Sequence, residues 1–374
     1  MGGITRGLLR TALLCLAAVP AFAAQVVDPA AARRATLEPI VVALDADLSS
    51  LAAAGHPTRL ALRVQRISTD RTLEPVAREW LLDRGLHDLA RLAPTPEARA
   101  VVQQLALRRP EVFAHADPDH GERVTPFYDT GATARFVLRA WERATARAQA
   151  EADIATGRTA FIGRFAARGD STAPDAVREG IIEALEAAPL ARLAVQRASV
   201  AGAMSAGQRA DEIALVLARR LADAELATLV IGHADARVAL DAMRALPAAF
   251  DAQTALGLLA DASRRTDIAS AATLAIGRIA VQDGAARSFL YGQIGDAELG
   301  PSAAAALASI GDPAVAAEIG RRLRATSSES SRRLFVLALK LDGGTAAREE
   351  LRQFAAARQG STQLRSEVQQ WLER

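Results

Sequence analysis

The sequence predicts an all-α protein: an α-solenoid of stacked helix pairs in its C-terminal part, preceded by a more irregular helical N-terminal half. Three observations carry that expectation. Leu246, Ile279, Ile310, Leu341 and Leu372 each close an apolar segment, at intervals of 33, 31, 31 and 31 residues, and a near-constant period of this size marks stacked helix pairs. Hydrophobic residues make up 50% of the chain and aromatic ones only 4%, which suits thin helices packed through Ala, Leu and Val better than a large sheet. Within the segments, apolar residues recur at the i, i+3, i+4 spacing of a helix that buries one face. A chain of 374 residues would ordinarily form two domains, but a stack whose repeats touch only their neighbours escapes that size rule.

Residues 1–23 read as a cleaved signal peptide. Arg6 and Arg10 are the only charges ahead of the apolar run Thr11 to Val19, which ends at Pro20 and the small-x-small triplet Ala21-Phe22-Ala23. The run is shorter than the roughly 20 residues that span a bilayer, so the expected product is periplasmic or secreted, with no stable membrane anchor. Cys15, the sole cysteine, leaves with the signal, and disulfides, thiol nucleophiles and thiolate metal sites leave with it. Loss of Arg6 and Arg10 leaves 43 basic residues against 43 acidic ones. No basic excess remains to hold a nucleic acid. Lys340 is the only lysine, and with the heavy use of alanine this points to a GC-rich bacterial genome.

Four regions follow the signal. Residues 24–107 carry helices around Leu37 to Leu51, Leu73 to Leu92 and Glu97 to Leu107, broken at Gly55-His56-Pro57 and Pro94-Thr95-Pro96. Residues 108–133 form the one long polar loop. Residues 134–234 hold a long helix near Arg135 to Ala155 and a helix started by Thr172 as N-cap with Asp175 three residues on; they read as diverged repeats. From 235 to 374 the register is regular, with Met243, Ile276, Leu307, Leu337 and Val368 three or four residues before their anchors. Breaks follow at Pro247, Asp283-Gly284, Gly311-Asp312-Pro313 and Asp342-Gly343-Gly344.

The run Pro301-Ser302-Ala303-Ala304-Ala305-Ala306-Leu307-Ala308-Ser309-Ile310-Gly311-Asp312-Pro313 resembles the second helix and following turn of bacterial HEAT-like repeats of the phycobilisome-lyase type, over about 235–372. The resemblance implies an α-solenoid and a binding surface, with no inherited active site and no cofactor. Pro247, in place of the usual Gly-Asp turn, and the extra Val281-Gln282 depart from the pattern. In that family the second helix of each pair tends to line the binding face. Its non-anchor positions here are Leu274, Ala305 and Val336 in one row and Gly277, Ala308 and Leu339 in another. These six are the expected floor of an apolar binding groove, set against burial under adjoining helices.

The polar loop concentrates His115, Asp117, Asp119, His120 and Glu122, a mixture that can hold a divalent metal. Its spacing fits no calcium-loop template, because Gly121 and Glu122 stand where an oxygen ligand and a glycine are needed, and Asp, Pro and Gly are ordinary loop residues. Phe127-Tyr128-Asp129-Thr130-Gly131-Ala132 resembles the Asp-Thr-Gly-Ala signature of aspartic proteases, with Asp129 as the one catalytic candidate. That chemistry needs a second copy or a homodimer on a β-rich scaffold, whereas Ala134 leads into a helical pattern. The alternative is a helix start with Asp129 or Thr130 as N-cap.

No Gly-x-Ser-x-Gly elbow, phosphate loop, His-Glu-x-x-His or Ser-x-x-Lys occurs. His56, His87 and His233 stand alone near helix ends. Trp80, Trp141 and Trp371 fall on helical stripes as core residues. The sequence therefore predicts a non-catalytic scaffold for a protein or peptide partner. A hydrolase using the 115–131 loop and a purely structural envelope component are the competing classes.

Overall fold

The computed structural model describes residues 25–115, 124–167, 174–357 and 360–373, except for the side chains at 246 and 247. The expected signal peptide, the loop residues Asp117, Asp119, His120, Gly121 and Glu122, and the expected cap Thr172 lie outside the described residues. The described residues are overwhelmingly helical, with twenty helices and one small three-stranded sheet. They divide into two units, one reaching to Trp141 and one beginning at Glu142.

The first unit contains β1 (Gln25–Val26), α1 (Pro29–Thr36), α2 (Pro39–Ala53), α3 (Pro57–Thr69), α4 (Pro75–Ala90), α5 (Pro96–Leu105), β2 (Val112–His115), β3 (Val124–Pro126) and the first half of α6 (Thr130–Thr156). Proline opens each of the first five helices, where its fixed φ suits the first turn and its missing N–H costs nothing. Leu48, Leu60, Val64, Leu81, Leu82 and Leu86 form the centre of the core, and Trp141 joins it. The Trp141 indole N–H reaches the carbonyls of Leu89 and Leu92, at 3.1 and 2.9 Å, in and just after the last turn of α4. The expected polar loop at 108–133 is therefore corrected: it contributes β2 and β3, with β1 parallel to β2 and β2 antiparallel to β3. A pairing of Val112 with Gln25, so distant in sequence, has no local signature.

The second unit holds the rest of α6, then α7 (Ala160–Ala166), α8 (Pro174–Ala187), α9 (Leu190–Ser205), α10 (Asp211–Leu221), α11 (Ala224–His233), α12 (Ala236–Ala249), α13 (Ala252–Ala262), α14 (Ala269–Ala280), α15 (Gly284–Gln293), α16 (Gly300–Ala308), α17 (Pro313–Ala325), α18 (Glu329–Asp342), α19 (Thr345–Ala356) and α20 (Thr362–Leu372). Two layers alternate. One runs α8, α10, α12, α14, α16, α18, each helix packing on the next, and the other includes α9, α11 and α13, and further on α17 and α19. One buried core runs from Ala146 to Val368, the one-dimensional packing of a solenoid. The stacking begins upstream of the regular sequence register at 235.

Recurring polar residues set the layers. Asp223, Asp251, Asp283 and Asp312 cap α11, α13, α15 and α17 through their side chains, so that four successive first helices of the pairs start at an aspartate, whereas α9 and α19 start at Pro189 and Gly344 without a side-chain cap. Gly311 (φ +65°) ends one helix in the left-handed region, Asp312 caps the next and Pro313 opens it; each residue of that turn has its own job. Arginine closes the other ends. Arg220 donates to the carbonyls of Leu185, Glu186 and Ala188 at the end of α8, and Arg265 to those of Ile231 and Ala234 at the end of α11. A planar guanidinium satisfies several of the carbonyls that a helix leaves without partners, which a lysine does less well.

The expected break at Pro247 is corrected, since α12 continues to Ala249. A proline in the last turn removes one backbone donor without stopping the helix, and the stop comes from Asp251 capping α13. The anchors also need correction. Ile279 is buried, but Leu341 is 55% exposed, and Ile310 and Leu372 are only half-buried, as is Leu337, the residue expected to pack ahead of Leu341. In α18 the core positions are Phe335, Val336, Ala338 and Leu339.

Candidate functional site

The Asp-Thr-Gly run starts α6. Asp129 accepts from the Ala132 amide at 2.8 Å through Oδ1, and its carbonyl accepts from Thr133 at 2.9 Å. Thr130, fully buried, donates its hydroxyl to the Glu79 carboxylate. Gly131 lies so close to the Arg108 carbonyl that a Cβ would collide with backbone. Each residue thus has a structural task, and the six-residue likeness to a protease signature follows from three local demands: a cap, a small donor and no side chain.

Glu79 is the centre of this junction and is 0% exposed. Its other oxygen accepts from Arg108 Nη2 at 2.9 Å, and the same nitrogen reaches Glu111 at 2.7 Å, while Arg78 also pairs with Glu111. A buried carboxylate is tolerated because charge-assisted bonds replace its water. The network joins α4, the chain after α5 and the start of α6. Of the sequence's metal candidates only His115 is described; it is the exposed end of β2, opposite Val124. Among the described residues no group of three or more His, Cys, Asp or Glu side chains converges as a metal site would.

The six expected floor residues do not form one open groove. Leu274 is 46% exposed and Ala305 half-buried, but Gly277, Ala308, Val336 and Leu339 are buried. A Cβ on Gly277 would stand 3.1 Å from Ala306, so this glycine brings α14 and α16 together. The outward positions differ. α14 packs against α12, α13, α15 and α16; α16 against α14, α15 and α18; α18 against α16, α17 and α19. The side of α14, α16 and α18 left open is therefore the one turned away from the partner layer.

On that side stand Leu274 and Arg278 of α14, Ala305 of α16, and Arg333, Leu337, Lys340 and Leu341 of α18, all exposed or half-buried. Sequence reasoning missed this set in α18, although a signal was present. Leu334 to Leu339 is apolar all round and gives no phase, but Arg333 and Lys340 lie two turns apart on one face and carry Leu337 with them. Lys340 Nζ lies 3.7 Å from the centre of the Trp371 ring of α20, a cation–π contact that holds the ammonium at the surface.

At the N-terminal ends of α14 and α16 lies a cleft of about 390 Å³. Ala260, Ala269, Phe289 and Leu299 supply its apolar wall, and Asp296 and Glu298 its acidic edge. The Asp296 carboxyl is held below the usual carboxylate range by hydrogen bonds from the Leu299 and Glu298 amides, at 2.9 and 2.8 Å, so it is ionised at neutral pH. The cleft can admit a side chain or a short polar group.

No known family model, no curated protein and no solved structure matches this chain. Fold and site define a class only, an all-α protein built on a two-layer helical stack. No helix among the described residues is long and apolar enough to cross a membrane.

Proposed function

We propose that this protein is an exported, HEAT-like helical scaffold that binds a protein or peptide partner on the open side of α14, α16 and α18. The observation that supports this reading is the row Leu274, Ala305, Leu337 and Leu341, which leaves apolar surface open across three successive helices. Neighbouring apolar side chains left open on packed helices are a usual mark of an interaction surface. The layout of residues 1–23 supports export, and the turn Gly311-Asp312-Pro313 supports the likeness to HEAT-like repeats. Asp129, Thr130 and Gly131 have structural tasks, so no hydrolase reading is drawn from them.

The test is a photo-cross-linking residue in place of Leu274, and separately of an exposed position in the other layer such as Arg348, in protein expressed in its bacterial host. Cross-links to a defined protein from position 274 but not 348 support the reading. Equal or absent labelling at both positions rejects it. N-terminal sequencing of the same product tests export: a chain starting near Ala24 is expected, and intact Met1 overturns that part.

A further inference from the structure

The charge on the open side narrows the partner. α14 and α16 contain no acidic residue at all. In α18, Glu329 is engaged by Arg332 and by the Ser361 amide, each at 3.2 Å, and Asp342 by the Gly344 amide at 2.9 Å. Arg278, Arg333 and Lys340 project from the open side, and none of them pairs with a carboxylate among the described residues. Elsewhere in the stack arginines find acids: Arg197 with Asp223, Arg322 with Glu318 at 2.6 Å, Arg324 with Glu350 at 2.5 Å. Two further carboxylates of this region, Asp296, which accepts from the Leu299 and Glu298 amides, and Glu298, sit by the cleft at the N-terminal ends of the helices, whereas Arg278 and Lys340 lie in the last turns of theirs.

Resting on the scaffold reading, we propose that the occupant of this side is an acidic amphipathic segment of a protein partner, its apolar residues on Leu274, Ala305 and Leu337 and its carboxylates against Arg278, Arg333 and Lys340. An apolar row between cations fits a segment that carries both kinds of group. A nucleic acid would match the charge and leave the leucines wet, and a lipid surface would want a broader apolar face. The track has a definite length. Two interhelical steps of about 8–10 Å each make about 16–20 Å, which about 11–13 residues of helix would cover at 1.5 Å per residue. Complementary charge of this kind sets partner choice and encounter rate more than raw affinity.

The test uses the full chain and two synthetic helices of about a dozen residues, alike in a leucine face but flanked by Glu in one and by Lys in the other. Fluorescence anisotropy should show the Glu peptide binding about tenfold or more tightly than the Lys peptide, with a preference that fades as salt is raised. R278E/R333E changes two exposed side chains without removing the Lys340–Trp371 contact, and its thermal melt checks folding. In that variant the preference should invert. Equal binding of the two peptides, or a preference that survives R278E/R333E, overturns the proposal, as does tighter binding to anionic phospholipid vesicles or to short DNA. The scaffold reading fails separately. Cross-linking from position 274 that persists unchanged in R278E/R333E keeps that reading while sinking the acidic partner.

Discussion

Val336→Ser compared with Leu274→Ser tests which side of α14 and α18 is core. Val336 is 0% exposed in the core of the second unit, whereas Leu274 is 46% exposed on the open side. Removing the valine methyls forfeits much of the roughly 1.5–3 kcal/mol that burial of such a side chain contributes, and leaves a small cavity. The serine hydroxyl enters an apolar site, although it can donate to the carbonyl one turn back, which offsets part of its desolvation. The net cost is about 2–3 kcal/mol. For a unit of this size each kcal/mol moves the melting midpoint by about 2–4 °C, so Val336→Ser should melt about 5–10 °C below wild type. Leu274→Ser sheds half-wet surface and should stay within about 0.5 kcal/mol, or a degree or two. Thermal melts followed by far-UV circular dichroism measure both. A Val336→Ser midpoint near wild type, or a drop in Leu274→Ser as large as that of Val336→Ser, would refute the assignment of faces.

Three further outcomes are expected. Asp129→Asn keeps a capping oxygen and should change stability little, while Asp129→Ala should lose about 0.5–2 kcal/mol in urea titration; equal losses would remove the capping explanation. Gly131→Ala pushes a methyl into the Arg108 carbonyl, so its urea midpoint should fall by the equivalent of about 1–3 kcal/mol, and an unchanged midpoint would contradict the close approach. Acid should weaken the protein in a defined window. Hydrogen bonds from Arg197 hold the Asp223 carboxyl low, those from the Thr254 amide and hydroxyl do so for Asp251, and an Arg321 bond does so for Glu318. A carboxylate whose pKa is lower folded than unfolded stabilises the fold above its unfolded value and loses that contribution as pH falls through its folded one. The midpoint should thus be flat near neutral pH and decline below about pH 5; a rise on acidification would contradict these bonds.

Helix boundaries were legible wherever a turn carries its own chemistry. Gly311-Asp312-Pro313 and Asp283-Gly284 announce their breaks in adjacent residues, and the structure uses them as caps. What depended on distant neighbours was not legible. The burial of Glu79 requires Arg108 and Thr130 to arrive from far along the chain, and β1 pairs with a strand whose sequence shows no alternation. The same limit explains the Asp-Thr-Gly likeness: Gly131 is demanded by a backbone carbonyl that only folding brings near, so the motif looks chemical until its neighbours are known.

The candidate surface shows how an error of phase arises. In α14 the polar Arg278, one turn from Leu274, marks the outside of the helix, and Leu274 is outside. In α18 six apolar residues run from Leu334 to Leu339, and equal sequence spacing from Ile310 assigned Leu341 to the core. A period of 31 residues fixes which helices correspond, not how each is rotated, because one residue more or less in a turn swings every side chain by about 100°. Rotation is decided by the side chains that cannot be buried without partners. Arg333 and Lys340 are two such residues, seven apart and so on one face of α18, and that face necessarily includes Leu337. Charges rather than leucines therefore locate the open side of this stack.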